Sequence, residues 1–410
     1  MSLENVSIVP LKDVVKRVKV GFVGSCNNDY CSSDEGVPMI RTTNLTTEGI
    51  KLENLKYINN TFHIAHKKSQ LHFGDILIAR HGHNGLASLW EYKFDAQCLN
   101  VVVVEPDESL ANRYYLTYLI NSPLIQKQIK SLTGGSVQSV INTKDIADLL
   151  IPIPSLDKQK EIADFISLFN KKISVCKSIN KNLEEQIETI YNSFFVYYDD
   201  FSKEELEECE IGLIPKDWKL MSLGEVTTKI KEKVGSDDYK VFSAVNTGNL
   251  ILSEEYFDKQ VYSKNIEKYI VVKQKEFAYN PARINIGSIG RNDFNYDGCV
   301  SPVYVAFKVE EGYENFMNMY IKSNRFNQWV VTLSSGSVRQ TLNYADFSII
   351  KIAYPPKDLV NKFNKVYDNY YEVINYNNSV ISNLENIRDT LLPKLMSGEI
   401  DVSKINCDLE

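Results

Sequence analysis

Residues 131–154, SLTGGSVQSVINTKDIADLLIPIP, return as residues 332–355, TLSSGSVRQTLNYADFSIIKIAYP. The offset is 201 at Gly135/Gly336, Asn142/Asn343 and Asp145/Asp346, and also at Leu132/Leu333, Val137/Val338, Ile151/Ile352 and Pro154/Pro355. It continues without a gap through Asp157/Asp358, Ile173/Ile374, Leu183/Leu384, Glu184/Glu385 and Thr189/Thr390. Shared helical composition accounts for matched Leu and Glu, but not for the polar GSV…N..D loop. The chain therefore contains itself twice. Upstream the match fades: GDILIAR at 74–80 falls opposite KEFAYNP at 275–281. A common frame with different content is expected when each half recognises something different.

Downstream of each copy the apolar period lengthens from two to about three and a half. The first track runs through Ile162, Ile166, Phe169, Ile173, Cys176, Leu183, Ile187, Ile190 and Phe194, with Asn180 in its one polar slot. The second runs through Leu359, Phe363, Val366, Tyr370, Val373, Val380, Leu384, Ile387 and Leu391, with Asn377 in the polar slot. Each is a heptad seam, and an Asn in such a seam either fixes register or faces water where the seam frays. A helix of this length spans about 50–60 Å. It needs a partner for its seam, and the helix of the other repeat is the nearest one. The chain returns through a whole domain between them, so an antiparallel pair is expected. Leu392-Pro393 predicts the end of the second helix, with Met396 to Ile400 as cap and tail.

The blocks at 1–153 and 211–354 alternate short apolar runs with Gly, Asn and Asp, the signature of strands. One helix is predicted over residues 113–132 and another over 314–333. The fold class is α/β (α+β): two mixed α/β domains separated by two long helices that form an antiparallel coiled coil, with a pseudo-two-fold internal repeat. The expected division is 1–153, domain 1; 154–198, helix 1; 199–215, acidic linker; 216–354, domain 2; 355–398, helix 2; 399–410, tail.

The net charge of −7 argues against nucleic acid until its distribution is considered. Residues 199–210 carry seven acidic side chains against one Lys, whereas residues 1–150 balance at 15 and 15. The acidic segment is expected to be a solvated hinge. Neutral domains grip phosphate weakly, so a partner that completes a grip on DNA is expected. Seven cysteines without a CxxC pair fit a reduced, cytoplasmic protein. No signal segment or membrane span is expected.

Several phrases resemble the specificity subunits of Type I restriction–modification systems. They are FGDIL at 73–77, IPIPSLDKQ at 151–159, IGLIPKDW at 211–218, FAYNPARINIG at 277–287 and LLPKLMSG at 391–398. The resemblance covers essentially the whole chain, and the order of elements is more specific than any phrase. Two departures stand out: the second repeat has Asp358-Leu359-Val360 where a Glu-Gln is usual, and the first domain has Val9-Pro10-Leu11 in place of an Ile-Pro-x-x-Trp entry. The resemblance implies two target recognition domains that bind a bipartite double-stranded DNA target. It implies spacer helices that dock methyltransferase (modification) subunits, expected to be two, and a restriction/translocase subunit in the assembly. It implies no cofactor on this chain, S-adenosylmethionine belonging to the methyltransferase.

Base edges in the major groove are recognised by Arg at guanine and by Asn or Gln at adenine. Loop residues of these and related types are Arg41, Arg80, His81, His83, Asn84, Ser136 and Gln138 in the first half. In the second they are Arg283, Asn285, Arg291, Asn292, Ser337 and Arg339. Each has a surface or structural role as its alternative. All five His fall between 63 and 83, near Cys26 and Cys31, but no second compact ligand pair completes a zinc site. Asn280-Pro281-Ala282-Arg283 resembles an amino-methyltransferase motif only superficially, and no Walker loop is present. A non-catalytic DNA-recognition subunit is therefore expected. A coiled-coil protein scaffold, or an enzyme with an unrecognised methyltransferase or nuclease site, remains the alternative.

Overall fold

The computed structural model describes residues 6–82, 85–132, 140–256, 262–333, 341–402 and 405. The chain forms two compact units, residues 1–179 with 376–410, and residues 180–375. Each contains one globular half and a share of both long helices.

In the first unit, Val15–Val20, Val101–Pro106, Ile76–Ala79 and Ala87–Leu89 form an antiparallel sheet in that order. Its central strands are apolar throughout Ile76–Ala79 and Val101–Val104 because both faces are covered there, where a half-exposed strand would alternate. Ile76, Ile78, Val102 and Val104 join a core with the helices, while Leu77, Ala79, Val101 and Val103 pack beside Ile40 and Trp90. A second sheet, ordered Gln97–Leu99, Gly36–Arg41, Lys56–Asn59, Tyr30–Cys31, contains one parallel pair.

The second unit repeats the plan. Thr227–Ile230, Val305–Val309, Phe277–Tyr279 and Ile289–Arg291 form the antiparallel sheet. Leu250–Leu252, Lys240–Ala244, Gly298–Val300 and Ile270–Val272 form the mixed one. Again the faces split: Phe277, Tyr279, Val305 and Phe307 lie in one core, and Ala278 and Ala306 in another. Among the described elements seven start 201 residues after their counterparts, including the helix Glu314–Tyr320 after Arg113–Asn121, and the long helix Lys357–Met396 after Leu156–Asn192.

The duplication also reaches positions where residue identity hides it. Asp75 Oδ2 accepts the His72 N–H at 2.9 Å, and Glu276 Oε2 accepts the Lys273 N–H at 2.7 Å. Burial raises both carboxyls above their ordinary values. The preceding residues, Gly74 and Lys275, both have positive φ, 94° and 64°. Gly at 74 also leaves room for the Arg113 guanidinium, which a Cβ there would displace.

Each single helix expected over 113–132 and 314–333 is two. Arg113–Asn121 and Pro123–Leu132 are separated by Ser122, whose ψ of 151° is extended, as the residue before a proline prefers. Glu314–Tyr320 and Asn324–Leu333 are divided at the corresponding place, where the Ser323 hydroxyl accepts from the Phe326 N–H.

The acidic segment expected to be a hinge is more ordered than that. Leu206–Cys209 and Gly212–Pro215 pair as a hairpin. Glu207 and Glu208 are exposed, while Ile214 and Trp218 are buried, Trp218 packing on Phe195 and Tyr198.

Leu156–Asn192 and Lys357–Met396 hold 37 and 40 residues, about 55 and 60 Å. In the first unit Ile173 and Cys176 pack with Ile381, and Ile162 and Ile166 share a core with Leu392 and Leu395. One numbering falls as the other rises, so the segments are antiparallel. In the second unit Tyr191 and Phe195 meet Phe363 at 5.9 and 5.3 Å between ring centroids. Asn180 and Asn377 are both buried, so neither faces water at a frayed seam.

The first seam residues Ile162, Ile166, Phe169, Ile173 and Ile187 are buried and Leu183 is half-buried. Toward its end the first seam moves from the expected Ile190 and Phe194 to Tyr191 and Phe195, where the α-helix passes into the π-helical turn Ser193–Tyr197. The second seam differs by one position. Val360, Phe363, Tyr367, Ile374, Asn377 and Ile381 are buried; Val366, Tyr370 and Leu384 are only half-buried, and Val373 and Ile387 are 45% and 47% exposed. Adjacent apolar pairs offer two parallel tracks here, and Tyr367 wins because its hydroxyl finds buried partners. Pro393 does not end the second helix, which continues to Met396 and stops at Gly398, φ 76°. A proline this near the C-terminus removes one helical hydrogen bond without breaking the last turn.

The Asp157-Lys158-Gln159 phrase has a direct structural role. Gln159 is fully buried, its Oε1 accepting the Asn112 N–H at 2.8 Å and its Nε2 donating to the Leu110 and Pro154 carbonyls. The second repeat has Val360 at this position, also fully buried. Gln159→Val leaves three backbone groups without that partner and should cost about 2–3 kcal/mol in urea unfolding. An unchanged midpoint would show that water replaces the amide.

Candidate nucleic-acid interface

The residues that the sequence nominates divide into three groups. Ser136, Gln138, Ser337, Arg339, His83 and Asn84 lie outside the described residues.

A second group lies on loops. Arg80 directly follows the central strand Ile76–Ala79, and its Nε donates to the Ile141 carbonyl at 3.0 Å. The Ile141 N–H donates back to the Arg80 carbonyl at 3.4 Å. At the corresponding place in the second half the Leu342 N–H donates to the Pro281 carbonyl at 3.0 Å. The loop after the central strand is thus pinned in the same way in both units. His81 is exposed beside Arg80. Arg41 closes the strand Gly36–Arg41 and is half-buried, its Nη2 3.5 Å from the Asn54 carbonyl.

In the second half the pinned loop connects Phe277–Tyr279 to Ile289–Arg291. Asn280 shapes it: its side chain accepts the Ala282 N–H and its carbonyl the Arg283 N–H, both at 3.0 Å. Gly287 has φ 84°, and a Cβ there would stand 2.8 Å from the Asn246 carbonyl oxygen. This close approach sets the loop against the turn at 246–249. Arg283 and Ile286 are exposed on the loop, and Asn285 is half-buried.

Asn285 shares a cleft with Asn246, Thr247, Lys322 and Asn327. Lys322 Nζ donates to Asn249 Oδ1 at 3.0 Å, and desolvation lowers its ammonium below the ordinary value. These four neighbours are not among the residues that the sequence nominates. Their one local signal is Asn-Thr-Gly-Asn at 246–249, a turn composition. Amide groups that both donate and accept, beside Arg and Lys, suit base edges and phosphates.

The third group is buried. Arg291 and Asn292, nominated as base readers, are 5% and 0% exposed. Asn292 Nδ2 donates to the Val272 and Tyr296 carbonyls, and its Oδ1 accepts the Phe294 N–H. Arg291 donates to Asp293, Asn315 and Tyr367. Burial opposes its charge, but Tyr367 and Asp293 outweigh that and hold the guanidinium above its ordinary value. Neither side chain can reach a base edge without leaving the core.

The His residues also have local roles. The His66 ring packs on Phe22 and Phe62 at 4.8 and 4.1 Å, and the His63 carbonyl accepts from Gln70 and Gln97. Among the described residues no group of three His, Cys, Asp or Glu is placed to hold a metal ion, and no helix is long and apolar enough to cross a membrane.

Two copies of one mixed-sheet unit, each continued by a long helix and each presenting a differently composed loop, define a two-part recognition protein. Residues 4–188 match the family described as the Type I restriction modification DNA specificity domain. A Methanocaldococcus jannaschii protein whose name assigns it as the MjaX type I restriction enzyme specificity subunit is 24% identical, over 97% of this chain and 94% of its own. The type I restriction enzyme MjaIX specificity subunit of the same organism is 24% identical, over 71% of this chain and 70% of its own. The crystal structure of the Type I restriction–modification system S subunit from M. genitalium has the same fold, with a TM-score of 0.52, 15% identity and 96% of each chain covered. Residues 4–188 thus carry the Type I restriction modification DNA specificity domain, and the likeness to specificity subunits extends along nearly the whole chain.

Core and loop positions should separate in stability measurements. Asn292→Ala deletes three buried hydrogen bonds and should cost about 2–3 kcal/mol. Arg283→Ala should stay within about 0.5 kcal/mol of the parent. Urea unfolding of both variants distinguishes them, and equal losses would contradict the division.

Proposed function

We infer that this chain is the DNA sequence-specificity subunit of a Type I restriction–modification complex, and that it recognises rather than modifies its target. The supporting observation is the duplication at a fixed offset: one frame, used twice, carrying two different loop sets. Such a design fits a bipartite double-stranded target, each half bound by one unit. Phosphate contacts position such a protein and base contacts specify. Arg80, His81 and Arg41 in one half, and Arg283 and Asn285 in the other, are the described side chains that best fit contact with DNA.

The long helices would dock methyltransferase subunits, two per chain, through which a restriction/translocase subunit joins. S-adenosylmethionine belongs to the methyltransferase partner. The complex works in the cytoplasm. With a net charge of −7, this chain depends on those partners for much of its hold on phosphate.

The deciding experiment is to purify the chain with and without its methyltransferase partner, then footprint DNA and assay methylation. Two-part protection is expected, with methylation only when the partner is present. Methylation or cleavage by the chain alone would overturn the reading, and absent protection even with the partner would favour a protein scaffold.

Two further outcomes are expected. Replacing residues 216–354 with another recognition domain should change one half of the target and leave the other intact, as methylation-site sequencing would show. Arg283→Ala or Asn285→Ala should weaken discrimination at one base of that half by about 1–3 kcal/mol. A uniform loss across unrelated sequences would instead mark the residue as a phosphate contact.

A further inference from the structure

Arg291 engages three elements of its unit at once. Its Nε donates to Asp293 Oδ1 at 2.5 Å, Nη1 to Asn315 Oδ1 at 2.7 Å, and Nη2 to the Tyr367 hydroxyl at 3.2 Å. The Asn315 amide donates onward to Asn364 and Asp368 at 3.2 and 3.0 Å, and the Asn318 amide to the Tyr367 hydroxyl at 3.1 Å. Tyr371 stacks on Tyr367 with ring centroids 4.5 Å apart. One guanidinium thus joins the strand Ile289–Arg291, the helix Glu314–Tyr320 and the second long helix.

A planar guanidinium fork fixes direction as well as distance, because each N–H must aim at its acceptor. Apolar contacts allow small slides and rotations at little cost. The strand that carries Arg291 is also the outgoing arm of the loop with Arg283 and Asn285. An angular constraint at Arg291 therefore passes through a few residues of strand to the candidate reading loop. The first half lacks this device: opposite Ile76, the counterpart of Phe277, it has Leu89 where Arg291 stands, and at the offset of 201 it has Tyr114 for Asn315 and Ile166 for Tyr367.

We propose that the Arg291–Asn315–Tyr367 network is an orientation latch, which fixes the angle at which the second recognition half meets its spacer helix. Arg291 is then a positioning residue that sets the accepted gap between half-sites and sharpens recognition of the second one. The proposal rests on the specificity-subunit reading above.

The test uses the full chain in complex with its methyltransferase partner. The probe is a duplex library in which each half-site is randomised in turn and the gap varies by one base pair either way. The wild type should select a bipartite sequence with one gap. Arg291→Met should lower gap discrimination about tenfold and relax one half-site, leaving the other within about twofold. Arg291→Lys should restore part of the loss. Tyr367→Phe, which removes one hydroxyl at nearly constant volume and unpairs the Arg291 and Asn318 donors, should stay folded with a modestly lower melting temperature and give a smaller broadening. It decides the matter if Arg291→Met fails to fold.

A folded Arg291→Met or Tyr367→Phe with the wild-type gap profile would overturn the latch. So would equal loss at both half-sites, the mark of general destabilisation. A wild type that selects no bipartite sequence would overturn the latch together with the specificity reading beneath it.

Discussion

A helix of about forty residues with a long apolar seam cannot stay unpaired in water. Each buried Ile or Phe in such a seam contributes roughly 1.5–3 kcal/mol relative to exposure, and that is lost if the seam opens. The two long helices satisfy each other, and much else in the chain follows. Each globular core is completed by residues from both helices, Ile162 with Leu392 in one unit and Ile187 with Phe363 in the other. The buried Asn180 and Asn377 fit the use of a polar side chain to select one register among several that an apolar seam would accept.

Above this frame the two halves divide their labour in the same way. The central strands are covered on both faces, so they tolerate little change in volume. Their connecting loops are held by backbone hydrogen bonds, as between Leu342 and Pro281, which impose few demands on side chains. Loop composition can therefore differ between halves while the sheets remain equivalent. That combination is what a modular reader of DNA requires, and near-neutral globular halves keep its own grip on phosphate modest.

The duplication was legible because polar loop residues matched at one offset, and polar matches are not forced by helix or strand composition. The first seam was legible for most of its length. The second was displaced by one residue because Val366/Tyr367, Val373/Ile374 and Val380/Ile381 are adjacent apolar pairs, and periodicity alone cannot choose between parallel tracks. Arg291 and Asn292 were misplaced for a related reason. An Arg beside an Asn suits a base edge as well as a buried network, and only the side chains at 315 and 367, distant in sequence, separate the two. The cleft neighbours of Asn285 come from segments some 40 residues away on either side, beyond any local pattern. The break at Ser122 was within reach, since Pro123 marks it.

The core of the first unit has a history in time as well as in space. Leu392, Leu395 and Met396 are part of it, packed with Ile162, Ile166 and Phe169. During synthesis the ribosome makes these partners more than 200 residues later. At about 5–20 residues per second, the nascent first half waits roughly 10–45 seconds with that helix face uncovered. The first domain to be made is thus among the last to be finished, and its exposed seam is the surface that folding assistants, or premature partners, meet first.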